Sequence, residues 1–206
     1  VHILNVSFLV PDMRREYGGC AGNIAYNLKL LGGDPLPMGT VGSDFGPYAE
    51  WMDKCGISRK HIKEVNSYTG QAFITTDKDD NQITAFHPGA MGFSHENRVN
   101  DAEGVKLGIV APDGRDGMIQ HAEQFAELGL PFIFDPGQGL PMFNGEELLD
   151  FAEKATYIAL NDYEAQLFEE RTGKSAHELA EMVEALIITR GGEGSHIYTK
   201  KHRHEI

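Results

Sequence analysis

Apolar residues recur along this chain at spacings that change character near residue 105. Ahead of that point the pattern is mixed. Residues 2–9 alternate partly and are rich in β-formers, which predicts a strand broken by Pro11-Asp12. Residues 13–17 read as a second short strand. Ile24, Ala25, Leu28 and Leu31 then fall at helical spacing and predict a helix over 22–31, stopped by Gly32-Gly33. Residues 35–41 read as a strand, with Gly42-Ser43-Asp44 as its turn. A helix over 47–55 follows, with Tyr48, Trp51, Met52 and Cys55 on one face. Two β-type runs, 71–76 and 82–87, flank a polar turn and predict a hairpin.

From residue 105 the rhythm becomes regular. Apolar runs at 105–110, 131–134, 157–160 and 185–189 predict strands. Helical patterns at 116–127, 146–153, 162–170 and 175–184 separate them. Residues 196–199 and 204–206 read as a closing hairpin around a basic turn. Strands alternating with helices of about ten residues imply an α/β fold whose parallel sheet is covered on both faces. Ligands on such sheets bind beyond the carboxyl ends of the strands, where Asp135, Asn161 and Gly191 stand.

Composition narrows the field. The chain has 206 residues, 41% of them hydrophobic, an ordinary globular proportion and the length of one domain. The net charge of −13 argues against nucleic acid and against an anionic membrane surface as partners. Only Cys20 and Cys55 occur, so no disulfide framework is implied and a reducing cytoplasm fits. No apolar run is long enough for a membrane-spanning helix.

Three stretches can carry chemistry. In Gly18-Gly19-Cys20-Ala21-Gly22-Asn23 the glycines let the backbone bend and a ligand come close. The helix that follows offers free N–H groups and a positive dipole end, suited to phosphate or to hydroxyl groups. The same stretch also serves as a plain tight turn that lets a helix pack on a sheet. Asn161 and Glu164 stand three residues apart at a strand end. An amide and a carboxylate there suit a hydrated Mg²⁺, and they equally suit a helix cap. Thr189-Arg190-Gly191-Gly192-Glu193-Gly194 can wrap a phosphate or simply turn a hairpin. The scattered histidines show no zinc-site spacing, and neither a Walker-type loop nor a Gly-x-Ser-x-Gly elbow occurs. Cys20 reads as a small buried residue rather than a nucleophile.

In their order these blocks resemble the PfkB/ribokinase family of sugar and nucleoside kinases. The stretch Gly18 to Asn23 looks like that family's first signature, and Gly39 to Gly46 like the next block. Thr69-Gly70-Gln71-Ala72 looks like the hairpin entry, Asn161-Asp162-Tyr163-Glu164 like the Asn-x-x-Glu element, and Thr189 to Gly194 like the nucleotide-side loop. Ser7-Phe8-Leu9-Val10 and Phe86 to Met91 look most like bacterial adenosine-kinase-type members.

The resemblance implies one ribokinase-like α/β/α domain with a mostly parallel sheet and a small β lid, built from about 1–17 and 69–90. It implies ATP and Mg²⁺ as cofactors, and phosphorylation of a primary hydroxyl on a ribose-containing nucleoside, adenosine first. A ribose or fructose kinase is the alternative, and a non-catalytic nucleoside- or sugar-binding protein is another. By resemblance, Gly18, Gly19 and Asn23 bind ribose hydroxyls, and Phe8 or Phe86 packs on the base. Asn161, Thr189, Gly191, Gly192 and Gly194 line the nucleotide side, while Glu164, with Asn161 through water, serves the metal. A homodimer through the lid is implied as well. The family's first strand and its Gly-Ala-Gly-Asp segment, which supplies base and anion hole, are expected outside residues 1–206. The chain therefore reads as incomplete at both ends, and no catalytic residue is assigned.

Overall fold

The computed structural model describes Ser7 and residues 9–206. The strand expected over 2–9 lies outside the described residues for most of its length. Residues 9–19 form no regular secondary structure, so the second strand expected at 13–17 is absent. Strands persist only where a neighbour completes their hydrogen bonds. Here Met13 is 97% exposed, and the charged Arg14 and Glu16 pair with each other instead.

Helix α1 runs Cys20–Leu30, two residues ahead of its expected start. Gly19, at φ 88°, is the last residue outside it, so Gly22 lies within the helix. Gly32, at φ 81°, follows its end, and the Gly33 amide donates back to the Leu28 carbonyl. Strand β1 (Met38–Val41) pairs in parallel with β2 (His61–Glu64), a strand the sequence pattern did not reveal. Between them α2 (Gly46–Lys54) starts with a proline in its first turn. Its Met52 is buried with Ala25 of α1 and with Ile57, and Phe45, Tyr48, Trp51 and Ile62 pack around them. Strands β3 (Gln71–Thr76) and β4 (Gln82–His87) form the expected hairpin.

The second half builds the main sheet. Strands β5 (Gly108–Val110), β6 (Phe132–Phe134), β7 (Tyr157–Asn161) and β8 (Ala185–Thr189) are parallel neighbours in chain order. Antiparallel β9 (Ser195–Tyr198) and β10 (Arg203–Glu205) extend the sheet to six strands. Four parallel strands in sequential order place the connecting helices on one face when every crossover takes the usual right hand. Helices α3 (Arg115–Glu127), α4 (Gly145–Lys154), α5 (Asp162–Thr172) and α6 (Ala176–Met182) occupy it.

Phe132, Phe134, Ile158, Leu160, Leu186 and Ile188 are buried on the helix side of that sheet. Phe134 and Phe151 stack at 4.2 Å between ring centroids. Each fully buried side chain of this size contributes about 1.5–3 kcal/mol. Helices α4, α5 and α6 all begin with reciprocal capping boxes, from Asn144 with Glu147, Asn161 with Glu164, and Ser175 with Glu178. Helix α1 has neither a side-chain cap nor an acidic residue in its first turn. Among the described residues no side chain caps its leading N–H groups. Among the described residues no helix is long and apolar enough to cross a membrane.

Candidate active site

Parallel strands end together, so the residues that follow them share one rim. Asp113 follows β5, Asp135 follows β6, and Asn161 and Thr189 are the last residues of β7 and β8. Asn161 and Thr189 are register partners, and the Thr189 hydroxyl reaches the Leu160 carbonyl at 3.4 Å. The Asn-x-x-Glu element and the glycine loop are therefore brought side by side by the sheet itself.

The N-terminus of α1 reaches the same rim. The Cys20 thiol is pushed up by burial and by the charges of Asp135 and Asp113, which places all three within electrostatic reach. That environment suppresses the thiolate and leaves Cys20 a poor nucleophile. Burial also raises the Asp135 carboxyl, and the nearby Glu164 charge raises it further. Electrostatic influence thus runs from Cys20, beside the glycine corner, through Asp135 to Glu164 of the Asn-x-x-Glu element. Asp113 is the most perturbed of these acids. Burial pushes it up to about 6 against the pull of the Gly114 amide, which donates to it at 2.8 Å, and of the Ser94 hydroxyl beside it.

Asn161 and Glu164 act as a cap in this structure. The Glu164 amide donates to Asn161 Oδ1 at 2.7 Å, and the Asn161 amide donates to Glu164 Oε2 at 2.8 Å. One carboxylate oxygen and the Asn161 side-chain NH₂ stay outside that exchange. Among the described residues, neither Asp135 nor Glu164 pairs with a lysine or arginine. No three ligand-type side chains converge as in a caged metal site among the described residues. Two crowded carboxylates without a protein cation suit a hydrated divalent ion that takes few protein ligands.

The glycines have separate reasons for being glycine. Among the described residues, a side chain at Gly18 or Gly19 would meet no atom within 4 Å, and Gly19 needs glycine for its φ of 88°. Gly22 does not make room for a ligand. A Cβ there would stand 2.0 Å from the Tyr48 hydroxyl. In the second loop Gly191 has φ 56°, and Gly192 faces open space. Gly194, at φ 88°, would put a Cβ 1.9 Å from the Ile206 carbonyl, so packing as well as backbone conformation demands it. The Arg190 guanidinium is engaged by Glu193 and His196 rather than free for an anion.

Asn23 lies one turn into α1, exposed, and its side chain bonds to no other described residue. Phe86 is 54% exposed on the hairpin face that also carries Ala72 and Ile74. Phe8 lies outside the described residues. The hairpin is rooted at the turn that follows β1. Asp44 accepts from the backbone amide and hydroxyl of Thr69, both at 2.8 Å, and from the Gln71 side-chain NH₂ at 2.7 Å. Burial pulls the Asp44 carboxyl up, but these donors outweigh it and hold it below the usual carboxylate range. Elsewhere, a groove between Arg115, Phe143, Asn144, Glu147 and Arg171 has its charges spent. Arg115 pairs with Glu147, and Arg171 donates to the carbonyls of Leu140, Pro141 and Phe143.

Two residues of the rim escaped the sequence reading. Asp113 sits in Pro112-Asp113-Gly114, which reads as an ordinary turn. Tyr48 belongs to an amphipathic helix face and reads as core.

A Gly-Gly corner at a helix start, with an Asn-x-x-Glu cap and a glycine loop side by side at the ends of two parallel strands, fits an α/β protein of the phosphotransferase type. The chain belongs to the pfkB family of carbohydrate kinases, whose pattern it matches over residues 3–206. It is similar to the nucleoside kinase of Methanocaldococcus jannaschii, 33% identical over 207 residues, covering 98% of this chain and 67% of that one. It is also similar to the solved Burkholderia thailandensis nucleoside kinase in complex with inosine, with TM-score 0.93 and 56% identity. That match covers all of this chain and 68% of the other. The same enzyme in complex with ADP-inosine matches with TM-score 0.90 and 57% identity, covering all of this chain and 65% of that one. The chain spans about two thirds of the length of these relatives. These structures share its ribokinase-like α/β fold.

Proposed function

We propose that the protein transfers the γ-phosphate of ATP to the primary hydroxyl of a purine nucleoside. The observation that carries this reading is the single rim. Cys20, next to the glycine corner, feels the Asp135 charge, Asp135 feels the Glu164 charge, and Asn161 pairs with Thr189 beside the glycine loop. An acceptor at one end and a triphosphate at the other would then face each other across one crevice, as in-line transfer needs. The similarity to an enzyme solved with inosine and with ADP-inosine supports a nucleoside acceptor and an adenine-nucleotide donor. Inosine stands beside adenosine as a candidate acceptor.

In this reading Gly18, Gly19 and Asn23 hold the ribose hydroxyls, and Phe86, with Phe8, packs on the base. The bare N-terminus of α1 and the unpartnered Asn23 side chain support the first assignment. Thr189, Gly191, Gly192 and Asn161 line the donor side. Gly194 shapes that loop by its packing against Ile206. Glu164, with Asn161 through water, would hold Mg²⁺, and Asp135 adds charge to that corner. When bound, the ion offsets the charge of the phosphates. No residue among 1–206 is assigned as the base.

The exposed hairpin supports pairing of two subunits through the lid. It shows apolar groups on both faces, Phe73 and Ile83 on one, Ile74 and Phe86 on the other. A Phe73→Glu variant, followed by sedimentation velocity, should then dissociate; an unchanged sedimentation coefficient would refute the lid interface. The function itself is tested by offering the full-length protein ATP with inosine, adenosine, ribose and fructose. Nucleosides should exceed the free sugars by at least about tenfold in kcat/KM, the scale of a lost set of polar and stacking contacts. Preference for a free sugar, or no transfer to any nucleoside, would overturn the reading.

A further inference from the structure

Gly18 and Gly19 flank a peptide with little to hold it. No atom of the described residues lies within 4 Å of where either side chain would begin. Two adjacent glycines can rotate such a peptide between opposite orientations with little steric opposition. Among the described residues one side-chain contact opposes that rotation. The Tyr48 hydroxyl, reaching over from α2, donates to the Gly18 carbonyl at 2.9 Å. The next carbonyl, that of Gly19, is already engaged by the Asn23 amide at 2.9 Å within α1.

Tyr48 is itself fixed. Its ring stacks on Tyr17 at 4.7 Å and is flanked by Phe45 at 5.2 Å and Trp51 at 5.5 Å. Its helix is anchored by Met52 in the smaller core. The hydroxyl fills the space that a side chain at Gly22 would take. Gly22 and Tyr48 therefore form a matched pair, the absence of one side chain admitting the other.

In a trans peptide the carbonyl and the following N–H point in opposite directions. Holding the Gly18 carbonyl toward Tyr48 aims the Gly19 N–H away from it, on the open side of the corner. We propose that Tyr48 is a positioning residue that sets this donor for the acceptor hydroxyl by preventing the Gly18–Gly19 peptide from flipping. The assignment rests on the acceptor site proposed above. Tyr48 touches neither acceptor nor phosphate and acts through Gly18.

The test is Tyr48→Phe in the full-length protein, which keeps the aromatic stack and removes the donor. The KM for the nucleoside should rise about fivefold, the equivalent of one ordinary hydrogen bond. The KM for ATP and kcat should stay within about twofold, and the melting temperature close to wild type. Gly22→Ala should reproduce the effect by displacing the hydroxyl. The double variant should be no worse than Gly22→Ala alone, because both changes remove one interaction. Equal movement of both KM values, no movement of either, or multiplying effects in the double variant would overturn the proposal.

A second measurement does not depend on the substrate. A crystal structure of the free Tyr48→Phe protein should show the Gly18–Gly19 peptide flipped or split between two orientations; one unchanged orientation would overturn the proposal. If wild type phosphorylates no nucleoside, the kinase reading falls, and this crystallographic comparison alone decides the role of Tyr48.

Discussion

Asp113 offers a stability measurement whose sign and size follow from the structure. Its carboxyl rises from an ordinary 3.8 to about 6, chiefly because burial disfavours the charged form. Between those two values the folded protein holds a proton that the unfolded chain releases. Stability must therefore fall as pH rises through that window. Above about pH 6 the folded state carries the full cost. The difference of about two logarithmic steps, at about 1.4 kcal/mol each, sets it near 3 kcal/mol.

Asp113→Asn removes the charge and keeps the shape. Its carbonyl can still accept from the Gly114 amide, and its NH₂ can donate to the Ser94 hydroxyl, a buried oxygen without a hydrogen-bond partner of ordinary geometry. A neutral acceptor bonds the Gly114 amide more weakly than a carboxylate does. The net gain should then be about 1–3 kcal/mol at pH 7.5. It should shrink below pH 6 and vanish near pH 4. Urea titrations of both proteins across pH 4.5–8 measure it directly. A variant less stable than wild type at pH 7.5, or a gain independent of pH, would refute the argument that a desolvated charge is being removed.

Two paired comparisons follow. Asn144→Ala and Asn161→Ala should each lose about 1 kcal/mol of stability, because each removes one capping box. Only Asn161→Ala should also lose phosphoryl transfer, by about tenfold or more; equal kinetic damage from Asn144→Ala would sink the functional distinction. Gly194→Ala should destabilise by at least about 1–3 kcal/mol through backbone strain and its clash with the Ile206 carbonyl, read as a lowered urea midpoint. Gly192→Ala meets no protein atom, so its unfolding midpoint should not move while the KM for ATP rises severalfold. A fall in stability with an unchanged KM would show that Gly192 faces protein rather than nucleotide.

Elements governed by local chemistry were legible along the chain. The hairpin over 71–76 and 82–87 has the expected bounds, since alternating β-formers around a polar turn specify their own pairing. Helix α3 starts within one residue of its expected position, and the capping boxes of α4, α5 and α6 mark their starts. Strand β2 was not legible. His61–Glu64 is polar and short, and it is a strand because β1 pairs with it across an intervening helix. The segment 13–17, expected as a strand, finds no partner strand among the described residues and stays irregular.

The site divides along the same line. Its ingredients were written in the residues: a Gly-Gly corner, an Asn-x-x-Glu element and a glycine loop, in an order that matched a kinase family. Their functional weight was not. Asn144 with Glu147 and Asn161 with Glu164 have the same spacing and the same reciprocal hydrogen bonds. One pair faces Arg115; the other stands at a central strand end near Asp135. Gly19, Gly22 and Gly194 look alike in sequence, yet one supplies a positive φ, one admits a tyrosine hydroxyl, and one accommodates a carbonyl from β10's end as well as a positive φ. Residue type and spacing act over a few residues and so determined the elements and the candidate groups. Electric fields, desolvation and close packing depend on what lies within a few ångströms in space. Only the folded chain decided that Asp113 would be costly, that Tyr48 would reach Gly18, and that Cys20 would feel the charges of Asp113 and Asp135.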